Sequence, residues 1–171
     1  MKKKNILILA FLFLLVTACQ KSDWEYDNLF PEEYEVVFSI KNALNVTHVI
    51  SREDETSIYA VTVLKGGSQP ALAADVAVEV WSSEEVEAYG DVLGTAYKLL
   101  PSDTYVLSDT ELHFDGSVRG KDIMITFKPE KVEQCVGSNP EVIYVLPLRL
   151  ISEETVDEAH KEVLITVSLT D

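Results

Sequence analysis

From Tyr34 onward, apolar side chains recur at every second position. Tyr34, Val36, Phe38 and Ile40 alternate with Glu35, Val37, Ser39 and Lys41, the period of a strand with one face against a core. The same period returns at Val76, Val78 and Val80, at Leu112 and Phe114, at Ile123, Ile125 and Phe127, and at Val163, Ile165, Val167 and Leu169. Two runs are apolar on both phases. Residues 57–64 read as a central strand closed by Gly66 and Gly67. Residues 142–151 read as a long apolar strand, in which Pro147 has no N–H for a ladder and so points to an edge position or a bulge. One segment changes period. Ser82 followed by Glu85 is a capping box, Glu84, Glu85 and Glu87 suit the positive end of a helix dipole, Val86, Tyr89 and Leu93 share a face, and Gly94 is a natural C-cap. The pattern predicts an all-β fold: an immunoglobulin-like antiparallel β-sandwich of seven or eight strands with one short crossover helix, formed by residues 34–171 as a single domain. Phe38, Val61, Val78, Ile125, Tyr144 and Ile165 fall on the dry phases and are expected to share its core.

The first residues follow a different logic. Lys2, Lys3 and Lys4 precede an apolar run over residues 6–16, and Thr17 and Ala18 lead to Cys19. A positive n-region, an h-region and small residues before a cut make a secretory signal, and the run is shorter than the roughly 18 apolar residues a spanning helix needs. Cys19 stands where a bacterial lipobox places its lipidated cysteine. Residues 1–18 therefore read as a lipoprotein signal peptide, and 19–33 as an acidic tether (Asp23, Glu25, Asp27, Glu32, Glu33) interrupted by Trp24, Tyr26 and Phe30. An acidic stretch after a lipidated cysteine resembles the surface-export signal of Bacteroides-type lipoproteins; the plain alternative is a solvated spacer. The expected location is the outer membrane, lipid-anchored and facing the cell surface.

Charge narrows the partners. The chain carries 14 Lys and Arg against 29 Asp and Glu, a net charge of −15. Removing the leader takes away three lysines and no acid, leaving −18. Such a surface repels nucleic acid and anionic headgroups, so the membrane is reached through the lipid, and the remaining partners are glycans or other outer-membrane proteins.

Chemistry-bearing groups are sparse. His48, His113 and His160 are scattered without ligand spacing, and Asp103, Asp109 and Asp115 lack the spacing of a calcium loop. There is no nucleophile elbow, phosphate loop or dinucleotide fingerprint. Adjacent acids such as Glu84 and Glu85 point apart rather than across a glycosidic bond. Cys135 has no His or Asn near it in sequence. No catalytic, cofactor or metal site is expected. Trp81 and Tyr59 are the candidate aromatic platforms for a sugar, although Trp81 has the alternative of tucking under the helix that follows it.

A further likeness lies in ordered motifs. Tyr97-Lys98-Leu99-Leu100-Pro101, then Tyr105-Val106-Leu107-Ser108, then Tyr144-Val145-Leu146-Pro147-Leu148 resemble the domain of unknown function at the N-terminus of Bacteroides-type surface lipoproteins, which often precedes a glycoside hydrolase or carbohydrate-binding module. The resemblance spans residues 34–169. Residues 114–120 and 132–141 are longer than the family's usual turns. With the last strand reaching Asp171, the glycan chemistry of such downstream domains is not expected here. The resemblance implies a non-enzymatic surface module accessory to glycan capture; a direct glycan binder and an adhesin or pilus-type subunit, with Arg52 as its cut site, are the alternatives.

Overall fold

The computed structural model describes residues 31–139 and 141–171. Cys19 and most of the acidic tether lie outside them; the tether's last residues enter a 3₁₀ turn, Glu32–Tyr34. Eleven strands follow: β1 (Val37–Ile40), β2 (Val46–Ser51), β3 (Ser57–Gly66), β4 (Ala74–Val80), β5 (Tyr97–Leu99), β6 (Tyr105–Leu107), β7 (Glu111–Phe114), β8 (Gly120–Phe127), β9 (Ile143–Ile151), β10 (Thr155–Val156) and β11 (Glu162–Thr170). Helix α1 (Ser83–Leu93) lies between β4 and β5, and α2 (Pro129–Ser138) between β8 and β9.

The strands form two sheets that face each other as a sandwich. One has the order β10-β1-β3-β8-β6, the other β2-β11-β9-β4-β7, with β5 also paired to β9. Most pairings are antiparallel, as expected. Three are parallel: β1 with β10, β2 with β11, and β5 with β9. The added strands are short or lie at sheet edges, where the two-residue period is too brief or too polar to register.

All six residues expected in the core are buried in one cluster between the sheets. Phe38 of β1 meets Phe114 of β7 across the gap at 5.4 Å. His48 of β2 crosses to the first sheet, stacking on Phe127 at 5.2 Å and lying 5.1 Å from Tyr59. Its Nε2 is 2.9 Å from the Ser57 hydroxyl, and burial pushes its pKa down. Tyr34, assigned by period to the dry face, is instead 49% exposed in the 3₁₀ turn.

Two expectations are corrected. Pro147 lies in β9, which is flanked on both sides rather than at an edge. It is tolerated because β4 pairs β9 only from Leu148 onward and β5 only up to Val145, so Pro147 falls in the gap between the two partial partners. Its carbonyl accepts the Trp81 N–H at 3.2 Å. The elongated loop expected at 132–141 is for most of its length α2, which starts on Pro129, a residue suited to a first helical position, and buries Val132 against the core.

The predicted helix is present with both ends as read. The Ser82 Oγ accepts the Glu85 N–H at 3.3 Å while the Glu85 carboxylate accepts the Ser82 N–H at 2.8 Å. Gly94 closes the helix at φ 66°. Val86 is buried with Val145 and Leu164 on the outer side of the second sheet, so α1 covers β9 and β11 there. This double burial explains why β9 is apolar on both phases. Leu93 is the exception to the predicted apolar face, at 50% exposure.

Lys65 is buried at the end of β3. Its ammonium donates to the carbonyls of Leu72 at 2.6 Å and Asp115 at 2.7 Å, tying two loops to the sheet.

Candidate functional site

The candidate residues from sequence do not converge. His113 pairs with Asp75 at 2.7 Å, His160 with Asp157 at 2.7 Å, and His48 with Ser57, each on a different element. Asp103 is held by Lys131, and Asp115 accepts the Ser117 hydroxyl and the N–H groups of Ser117 and Val118, which hold its pKa at about 2. No cluster of three or more metal-ligating side chains occurs among the described residues. Cys135 sits half-buried on α2, and burial pushes its thiol up, away from the reactive thiolate. Arg52, in the turn after β2, forms ion pairs with Glu133 and Asp171.

Trp81 and Tyr59 belong to separate packing clusters. Tyr59 of β3 is half-buried against the main core beside His48. Trp81 follows the last residue of β4 and lies under α1, packed with Tyr89, Tyr97 and Leu99 around Val86, Val145 and Leu164. Neither ring is an open shelf.

Two concavities among the described residues bear on the site. The larger, about 800 Å³, lies on the second sheet near its β7 edge. Asp75, Glu111, Glu153 and Glu154 surround Ala73, Ala77 and Ile151, with His113 as the only imidazole in it. It is wide, acidic and without an aromatic ring. The Asp75 and His113 side chains are 78% and 64% exposed, so their pairing is largely solvated.

The smaller, about 190 Å³, is the more structured. Trp81 and Tyr89 supply its aromatic wall, meeting edge to face at 5.7 Å. Tyr97 stacks behind Tyr89 at 6.1 Å, nearly parallel. Leu44 and Asn45 come from the turn between β1 and β2, and Glu158 and Glu162 from the turn before β11 and its first residue. Hydrogen bonds brace these walls. The Ile40 N–H donates to the His160 carbonyl at 2.7 Å, and the Asp157 N–H to the Phe38 carbonyl at 2.8 Å. Glu158 is paired with Lys161 at 2.7 Å. On the helix side, Arg149 of β9 binds Glu85 at 2.5 Å and Glu79 at 3.5 Å, fixing the start of α1 to the sheet. The Trp81 indole Nε1 is buried and has no acceptor among the described residues. Sequence reading reached Trp81 alone. Tyr89 appeared only as a packing residue, and Leu44, Asn45, Glu158 and Glu162 carried no signal, because turns far apart in sequence bring them together.

Comparison with known proteins places this architecture. A search of curated proteins finds no match. Among solved structures, a protein of unknown function from Bacteroides ovatus superposes with a TM-score of 0.61 at 13% identity, over 83% of this chain and 47% of its own. A candidate carbohydrate-binding protein from the same species gives 0.58 at 16% identity, over 77% of this chain and 36% of its own. Bacteroides thetaiotaomicron EndoBT-3987, solved with a Man5GlcNAc product, gives 0.50 at 20% identity, over 72% of this chain and 28% of its own. This chain thus spans half or less of each of these proteins, and at such identities the likeness is one of fold. Residues 27–157 match the model of a family of N-terminal domains ("-like, N-terminal domain"). The match covers well over half of the sequence, and the chain belongs to this N-terminal domain family.

Proposed function

We propose that the chain is a non-enzymatic module, held at the outer-membrane surface by lipid on Cys19, that assists glycan capture by the outer-membrane proteins around it. The observation that carries this reading is the pairing of family and fold. An N-terminal domain family and a sandwich shared with Bacteroides proteins of two or more times its length fit a module that positions other activities. The lipobox-like leader and the acidic residues after Cys19 supply the location.

Affinity capture from detergent-solubilised outer membranes tests the role. Glycan-binding or glycan-cleaving outer-membrane proteins should co-purify with the wild type; a preparation that retains neither such proteins nor glycan would sink the reading. Cys19→Ala tests the anchor. The variant should leave the membrane fraction or remain uncleaved, and the wild type should carry the added mass of lipid. Protease added to intact cells should remove the protein, whereas complete protection until lysis would put it on the periplasmic side.

A further inference from the structure

We infer that the cleft between Trp81, Tyr89 and the two turns facing them binds one neutral sugar residue. The inference deepens the glycan-accessory reading and rests on it for the choice of ligand class.

Volume sets the scale. About 190 Å³ holds roughly six waters at about 30 Å³ each, the space of one six-membered ring rather than an oligosaccharide. Chemistry sets the class. A sugar ring offers an apolar C–H face and a rim of hydroxyls, and the lining of the cleft is of matching kind, two aromatic residues, Trp81 and Tyr89, beside the polar Asn45 and Glu162. The Trp81 indole lines the cleft, so a sugar seated against its ring would change the environment of the indole signal. Charge sets the selectivity. Glu158 and Glu162 both line the cleft, with Lys161 paired to Glu158 and close to Glu162, so the acidic lining disfavours uronic acids. Pre-organisation supports binding. The stack of Tyr97 on Tyr89, the capped start of α1 and the backbone bonds between β1 and the turn before β11 hold the walls in place before any ligand arrives.

The test follows the indole directly. The mature chain has two tryptophans, Trp24 and Trp81, so in an ¹⁵N-labelled sample the Trp81 indole N–H is assigned by its loss in Trp81→Phe, with Trp24 as internal reference. Methyl glycosides of glucose, mannose, N-acetylglucosamine and glucuronic acid are titrated in turn. At least one neutral glycoside should shift the Trp81 signal saturably, and the glucuronide should not. Asn45→Ala, in an exposed turn outside the core, should weaken that binding about tenfold, so the test survives even if Trp81→Phe disturbs folding. An indole signal unmoved by every neutral glycoside, an Asn45→Ala variant that binds as the wild type does, or a glucuronide that binds equally well would overturn the assignment. The membrane capture experiment separates the two readings. Co-purifying glycan machinery without any glycoside shift would remove the cleft and leave the accessory role. Saturable glycoside binding without co-purifying machinery would do the reverse.

Discussion

At the scale of single residues, two glycines with positive φ separate two kinds of constraint. Gly94 caps α1 at φ 66°, and a Cβ built there meets nothing within 4 Å. Gly67 has φ 103°, and a Cβ there would lie 2.4 Å from the Glu35 carbonyl oxygen. Gly94→Ala should therefore cost only the left-handed backbone penalty, about 1–2 kcal/mol. Gly67→Ala adds a clash with main chain and should cost clearly more, read as a lower urea midpoint at unchanged slope. Equal midpoints for the two variants would contradict the close approach. The sequence marked both glycines as stops but could not rank them, since the clash comes from residue 35, on another strand's approach. Lys65 was equally opaque. A lysine at a strand end reads as solvent-facing, and only the fold brings the carbonyls of Leu72 and Asp115 to its ammonium.

At the scale of elements, what was legible depended on local redundancy. Helix α1 announced itself through a cap, acids in its first turn and a terminal glycine, all within a dozen residues. Strands β3, β8 and β11 announced themselves by length. Helix α2 did not, because a proline start and one buried valine are faint beside its polar residues. Strand β2 was missed because its partner is more than a hundred residues away and only Ile50 of its six positions is fully buried. The α1 cap also predicts a pH response. The Ser82 N–H, then Arg149 and the Ser82 hydroxyl, lower the Glu85 pKa from its ordinary 4.5 to about 2. A carboxylate whose pKa is lower in the folded state adds stability above its unfolded value, and that stability disappears as pH falls through the folded one. The contribution of Glu85 should thus be complete above about pH 5 and drain away toward pH 2. Glu85→Gln should melt lower than wild type at pH 7, with the difference shrinking as the pH falls toward 2. A constant difference across that window would mean that the cap is not what lowers the pKa.

At the scale of the whole molecule, the sandwich was legible because the core is made by phase, and phase is written in every long strand. The candidate site was not, because its walls are turns whose meeting depends on topology. Phe38→Ala and Ile125→Ala remove fully buried side chains from between the sheets and should each cost about 2–5 kcal/mol. Glu111→Ala, on the exposed phase of β7, should stay within about 0.5 kcal/mol. Denaturant melts decide it, and an Ile125→Ala variant as mild as Glu111→Ala would place β8 one residue out of register. The parallel pairing of β2 with β11 also governs the order in which the molecule assembles. Among the described residues β2 has no other ladder partner, and β1 shares one edge with β10. Neither early strand can finish pairing until residues 155–170 are available. Closing so long a loop is slow compared with forming α1 or the β3–β8 ladder. A newly made chain would therefore wait with two strand edges unsatisfied, a window in which a holding chaperone has something to grip.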